Sequence, residues 1–115
     1  MSDDETSRFS PVQSVMLVDI PDDLVARCER VTEPLKIMLL KVGHARAASE
    51  RVMVTRPLVI LVRERPSGDI LAMLMDRAVA TASQVLFLDE VGDLSKLELH
   101  LKAAIQAAKR SRSTS

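Results

Sequence analysis

Four short, continuously apolar runs divide this chain, and a stretch with helical periodicity follows each of them. The runs occupy residues 15–18, 37–42, 58–62 and 85–88. Apolar runs of this length are typical of strands that are buried on both faces. Strands that alternate with helices form a parallel sheet covered by helices on both sides. The pattern therefore predicts an α/β fold, a three-layer α/β/α sandwich around a four-stranded, mostly parallel sheet.

Helix caps and helix-breaking residues set the boundaries of the elements. Asp22 after Pro21 favours a helix start, Pro34 prevents its continuation, and Asp93 is a good N-cap for the last helix. We predict strands over residues 14–19, 36–42, 58–62 and 84–88, and helices over 22–32, 44–55, 69–81 and 93–110, with a loop over 89–92. The third helix has a predicted buried stripe of Ile70, Leu71, Leu74, Ala78 and Val79. Leu94 opens the stripe of the last helix.

The length and the order of elements bound the domain organisation. A chain of 115 residues corresponds to one domain. We predict a disordered leader over residues 1–13, a single α/β domain over 14–110 and a flexible basic tail over 111–115. Right-handed crossovers through short connections favour the strand order 2-1-3-4 of flavodoxin-like sheets. Such folds bind ligands beyond the carboxyl ends of the strands, where the strand order reverses.

The composition argues against several function classes. The formal net charge is zero, and Phe9 and Phe87 are the only aromatic residues, which disfavours nucleic-acid binding. Cys28 is the only cysteine, so the chain has no internal disulfide and no cysteine metal cluster. No apolar run approaches the roughly 20 residues that span a bilayer, and the polar start is unlike a signal peptide. We expect a soluble, cytoplasmic protein without membrane contact.

Several segments resemble response-regulator receiver domains. The segment VMLVDIPDD resembles the first strand and the acidic turn of a receiver. Arg56-Pro57 followed by LVILV is similar to the approach to the phosphorylation strand, and RERPSGD is similar to the loop after it. The last helix is similar to a receiver's final helix. The resemblance begins near Ser14 and implies a flavodoxin-like fold with a role in signal transduction.

The chain departs from the receiver pattern at the reactive positions. A receiver has five β-α units, whereas four are visible here. The resemblance places a phosphoacceptor aspartate at the end of the third strand, where this chain has Val62 and Arg63. It places a lysine after the last strand, where this chain has Asp89 and Glu90. The run 58–62 matches either the third or the fourth receiver strand, and QVLFLDEVGD matches the fourth or the fifth. The resemblance implies a degenerate, shortened pseudo-receiver.

Polar residues at the predicted strand ends are the candidates for chemistry. Asp19, Asp22 and Asp89 are candidate ligands for Mg²⁺, because hard cations prefer clustered oxygen ligands. Alternatively, Asp22 or Asp23 caps the first helix and complements its dipole. Arg63 could pair with Asp19 or Asp89 and so replace a metal with a fixed cation. Asp89 and Glu90 could act as paired acid and base, or they belong to a solvated loop.

The remaining chemistry-bearing residues favour structural roles. His44 and His100 lie far apart on different helices, and neither has a metal-ligand partner at useful spacing. Cys28 falls on the buried stripe of the first helix, where a small apolar residue is expected. A phosphate-binding loop needs several closely spaced glycines after a strand. The chain has widely separated glycines, at Gly43, Gly68 and Gly92.

The third helix is the candidate partner surface. Met73 and Met75 beside Leu71 predict an apolar surface broader than one core stripe, although flexible methionines also fill cores. The sequence thus favours a non-enzymatic interaction module, without a cofactor, that presents this helix and the last one to a protein partner or a second copy. An Mg²⁺-binding acidic pocket for phosphotransfer or hydrolysis is the second hypothesis. Nucleic-acid binding through residues 109–115 is the third and weakest.

Overall fold

A computed structural model of the protein describes residues 12–113. The predicted leader, apart from Val12 and Gln13, lies outside these residues, as do the last two residues of the predicted tail. The leader and the part of the tail beyond Ser113 therefore stay predictions. Four strands are present in the described part of the chain: β1 (Ser14–Val18), β2 (Met38–Val42), β3 (Val59–Val62) and β4 (Gln84–Phe87).

Helices connect the strands and complete two outer layers. They are α1 (Asp22–Thr32), α2 (Ala45–Thr55), α3 (Gly68–Ala80), the short α4 (Leu88–Val91) and α5 (Leu97–Ser113). A 3₁₀ turn over Leu94–Lys96 leads into α5. None of the helices within residues 12–113 is long and apolar enough to cross a membrane.

The strands form one parallel sheet in the order β2-β1-β3-β4, which confirms the predicted fold class and strand order. β1 lies in the centre, where Met16 pairs with Leu40 of β2 and Ile60 of β3. Every residue of β1 and β3 is buried. Continuously apolar, branched side chains suit this position because helices cover both faces of the sheet.

Alternation along β1 divides the hydrophobic core into two clusters. Val15 and Leu17 point to the side of α1 and α5, whereas Met16 and Val18 point to the side of α2 and α3. Successive side chains of a strand face opposite sides of the sheet. The fold is therefore a three-layer sandwich, with α1 and α5 below the sheet and α2 and α3 above it.

Most element boundaries differ from the predictions by one or two residues, and two segments and two side chains differ more. The segment predicted as a loop over 89–92 largely forms α4, because the Glu90 side chain accepts a hydrogen bond from the Phe87 amide at the start of that helix. Asp93 caps the 3₁₀ turn, accepting from the Ser95 amide at 3.0 Å, and α5 begins four residues later. Val79 and Leu94, predicted to be buried, are exposed by 79% and 41%.

The last turn of α5 is attached to the amino end of the sheet. The helix continues to Ser113, past the predicted end at residue 110. The Arg112 guanidinium donates from Nη2 to the carbonyl oxygens of Arg56, Pro57 and Thr81 at 3.1, 2.8 and 3.0 Å. The prediction of a flexible tail is wrong for residues 111–113, because Arg112 joins the turns before β3 and β4. Burial, together with the charge of Arg56, lowers the pKa of Arg112.

Candidate functional site

The carboxyl ends of the strands meet at one edge of the sheet, which is where folds of this class bind ligands. Asp19 follows β1 there, with a φ of 56° and an amide that donates to the Val42 carbonyl at 2.8 Å. The short polar side chain of aspartate tolerates this left-handed conformation better than most residues do. His44 follows β2, and Arg63 follows β3.

The sequence hypothesis that Arg63 pairs with a strand-end carboxylate agrees with the structure. Arg63 Nη1 lies 3.8 Å from Asp19 Oδ2, and both side chains are about half exposed, at 48% and 60%. Asp19 is therefore the partner of Arg63 in the described structure, rather than Asp89. At this length and exposure the pair contributes little to stability, because water screens the attraction.

The three carboxylates named as candidate Mg²⁺ ligands are not brought together. Asp22 lies in the first turn of α1, where its Oδ1 pairs with Lys41 Nζ at 3.3 Å, and Asp89 is exposed on α4. Within residues 12–113, no three His, Cys, Asp or Glu side chains converge in a way that could hold a metal ion. The capping alternative is wrong, because Pro21 is the N-cap and no side chain caps the helix; Asp22 and Asp23 lie in the first turn, where their charge complements the helix dipole.

Glu90, the suggested partner of Asp89 in acid/base chemistry, is occupied structurally. Its Oε1 accepts from the Phe87 amide at 3.2 Å, and its Oε2 lies 3.7 Å from Arg65 Nη2. The Arg65 guanidinium also stacks on the Phe87 ring, 4.2 Å from its centroid. The loop after β3 is thereby attached to the end of β4. Sequence reasoning missed the roles of Arg65 and Phe87, since the position of an arginine in a polar loop does not identify its partner.

Two shallow clefts lie at this edge of the sheet. One, of about 170 Å³, is lined by Asp19, His44 and Glu64 among others. The other, of about 250 Å³, is lined on one side by Lys41. Both are smaller than the roughly 300–1,000 Å³ of typical small-molecule sites. His44 Nδ1 accepts a hydrogen bond from the Ala47 amide at 3.2 Å, so this side chain caps α2.

A larger cleft of about 370 Å³ lies between the end of α1 and α5, lined by Leu35, Leu99 and Lys102 among others. Beside it, Glu98 pairs with Arg27 at 3.3 Å and Arg30 at 3.6 Å. Arg30 and Glu98 line the cleft. The ion pairs of Glu98 with Arg27 and Arg30 link α5 to α1. No sequence signal indicated the cleft, because its lining comes from segments far apart in the chain.

Cys28 is a core residue, as the sequence predicted. The side chain has no exposed surface and packs in the cluster between α1 and α5. Burial raises the pKa of its thiol to about 11. The thiolate is the reactive form of cysteine, so this thiol is unsuited to nucleophilic chemistry at neutral pH.

The predicted partner surface on α3 does not form one continuous face. Met73 and Met75 are each 38% exposed, but residues two apart on a helix are rotated by about 200°. Arg77 reaches from α3 to the Ser49 carbonyl of α2 at 2.6 Å. Met73, four residues before Arg77, therefore lies on the flank facing α2, and Met75 lies on the opposite flank. Leu71 is half-buried against the core.

Comparison with known proteins gives no match. No protein-family model, no curated protein and no solved structure matches the chain. The resemblance to receiver domains therefore stays an interpretation of sequence segments, and any function must be argued from the geometry of the chain itself.

Proposed function

We propose that this domain is a non-enzymatic protein-interaction module whose contact surface lies on α3. The observation that carries the proposal is the composition of this helix. Of its thirteen residues only Asp69, Asp76 and Arg77 are charged, and Arg77 is turned toward α2. Asp69 and Asp76, seven residues apart, share the outer face of the helix, so the flank that carries Val79 has no charged residue, yet Val79 is 79% exposed. A protein partner would supply the missing cover.

The flank of α3 that faces away from α2 is the most favourable contact region. Val79 lies one turn after Met75, so the two side chains share this flank. Val85 of β4 packs against the same core cluster as Leu74 and Ala78 of α3, which places its side chain on the same side of the sheet. Met75, Val79 and Val85 together define what we call the edge surface.

The chemistry of the strand ends supports an interaction role over catalysis. Asp19 is paired with Arg63, Glu90 is engaged by the Phe87 amide and Arg65, and the clefts between them are shallow. Under this proposal, the chain works in the cytoplasm as a receiver-like signalling domain in which Val62 and Arg63 occupy the phosphoacceptor region. Its signal is then the exposed helical surface rather than a phosphoryl group.

A pair of matched valine substitutions tests the proposal. Val79 on α3 and Val54 on α2 are 79% and 83% exposed, and Val54 lies about 200° around α2 from the buried Val52. Neither Val79→Glu nor Val54→Glu should change the free energy of unfolding by more than about 0.5 kcal/mol. We expect Val79→Glu to abolish association of the chain with a second copy or with protein captured from its native cells, and Val54→Glu to leave it intact. Sedimentation velocity and affinity capture measure these outcomes.

Two outcomes contradict the proposal. One is a wild-type chain that sediments as a monomer at every concentration and captures no protein. The other is equal loss of association in both variants, because that result would show a general effect of added charge rather than a surface on α3.

A further inference from the structure

The open edge of β4 offers unpaired backbone groups at one residue. β4 is an edge strand that, among the described residues, pairs with β3 alone. The Gln84 amide donates to the Leu58 carbonyl at 2.8 Å, so Gln84 and Leu86 direct their amides and carbonyls toward β3. Alternate residues of a strand point these groups to opposite sides. The amide and the carbonyl of Val85 therefore point to the open edge, whereas the Phe87 amide donates to Glu90.

This edge has few of the features that usually prevent strands from pairing. Proteins protect exposed edges with lysine, proline, bulges or very short strands. The other edge strand, β2, carries the exposed Lys41, whereas β4 has the sequence QVLF without charge or proline. Its four residues supply only a short ladder, so a stable contact needs side chains beside the strand as well. Met75 and Val79 of the edge surface lie on that side.

The charges around β4 select the orientation of a partner. At its amino end, the Arg112 guanidinium reaches the Thr81 carbonyl. At its carboxyl end, Asp89 and Glu90 follow directly in α4. A second copy related by a two-fold axis presents its β4 antiparallel, so each basic end faces an acidic end. A parallel partner would instead bring like charges together.

We infer that two copies of this chain pair through β4, antiparallel and centred on Val85, to give a continuous eight-stranded sheet. Val85 of each copy exchanges its two outward hydrogen bonds with Val85 of the other. In this register Asp89 lies opposite Thr81 of the second copy, where the Arg112 guanidinium is held. The inference rests on the proposed interaction role of α3 and names its partner as a second copy.

Amide hydrogen exchange on the purified full chain tests the pairing directly. We expect protection of the Val85 amide to rise with protein concentration, in parallel with dimer formation measured by sedimentation velocity. The Gln84 amide is the internal control, because its bond to Leu58 exists in the monomer and should protect it at every concentration. An unprotected Val85 amide in a dimer overturns the inference. Protection of the Val85 amide that is independent of concentration in a monomer also overturns it, because another segment of the same chain would then cover the open edge of β4.

Charge reversal tests the orientation. Asp89→Lys should weaken the dimer by about tenfold, because the reversal acts twice across the two-fold axis. An Asp89→Lys dimer as strong as that of the unchanged chain overturns the antiparallel arrangement. A chain that stays monomeric but binds another protein in a Val79-dependent manner overturns this inference alone, and the proposed function then stands.

Discussion

Arg112 should be the most sensitive charged residue of the domain to substitution. Its Nη2 group donates to three carbonyl oxygens, of Arg56, Pro57 and Thr81, in the turns before β3 and β4. The substitution Arg112→Met keeps much of the apolar stem but removes every donor. The two turns would then lose the contact that joins them to α5.

The magnitude follows from the number of donors. A guanidinium NH₂ group carries two hydrogens, so the three acceptors share the equivalent of two strong bonds. Bonds to charged groups contribute about 1.5–3 kcal/mol each when buried. Arg112 is half-buried, so water replaces part of this loss, and we expect a destabilisation of about 2 kcal/mol in total. With a urea dependence of about 1–2 kcal/mol per molar, the midpoint falls by about 1–2 M.

Urea denaturation followed by circular dichroism measures this shift. Arg110→Met is the matched control, since it removes the same charge from an exposed position in the same helical turn and should leave the midpoint nearly unchanged. Equal midpoints for the two variants would refute the reasoning, because the three carbonyl contacts would then contribute nothing beyond the loss of a surface charge.

Two further predictions concern the strand ends and the core. A double-mutant cycle with Asp19→Asn and Arg63→Met should give a coupling energy below about 1 kcal/mol that disappears at high salt; a larger, salt-independent coupling would contradict the exposed geometry. Burial holds the pKa of Cys28 at about 11, against 9.0 for a free thiol. The stability that this shift contributes is complete below pH 9 and is lost as pH rises toward 11. The free energy of unfolding of Cys28→Ala, measured by urea titration, should fall less between pH 9 and pH 11 than that of the unchanged chain. An equal fall with pH in both proteins would contradict the burial argument.

The sheet could be predicted because each strand is marked by a short run of consecutive apolar residues. Branched apolar runs such as 58–62 identify strands buried on both faces, and the helices between them leave parallel pairing as the solution. Helices on both faces require the strand order to reverse, and right-handed crossovers in flavodoxin-like sheets then favour 2-1-3-4. Cys28 was predicted correctly for the same reason, since helical periodicity assigns a residue to the buried stripe.

Contacts between distant segments could not be predicted in this way. The stacking of Arg65 on Phe87 and the three bonds of Arg112 depend on where loops meet in space, and neither spacing nor composition encodes that. The error at α3 has another origin. Met73 and Met75 are close in sequence but lie on opposite flanks of the helix, so they cannot form one surface. Val79 was predicted to be buried but is exposed. A helix with so few charged residues does not reveal from its sequence which side faces the core.

The central position of β1 has a consequence for how the chain folds. β1, the first strand in the chain, pairs with both β2 and β3. Its pairing of Val15 with Val59 closes a long loop of chain. Loop closure of this kind is an entropic cost that a transition state must meet before the contacts form. β4, in contrast, pairs with β3 alone, and its pairing of Val59 with Gln84 closes a shorter loop. Changes in the sheet centre should therefore slow refolding, whereas changes at the β4 margin should mainly speed unfolding.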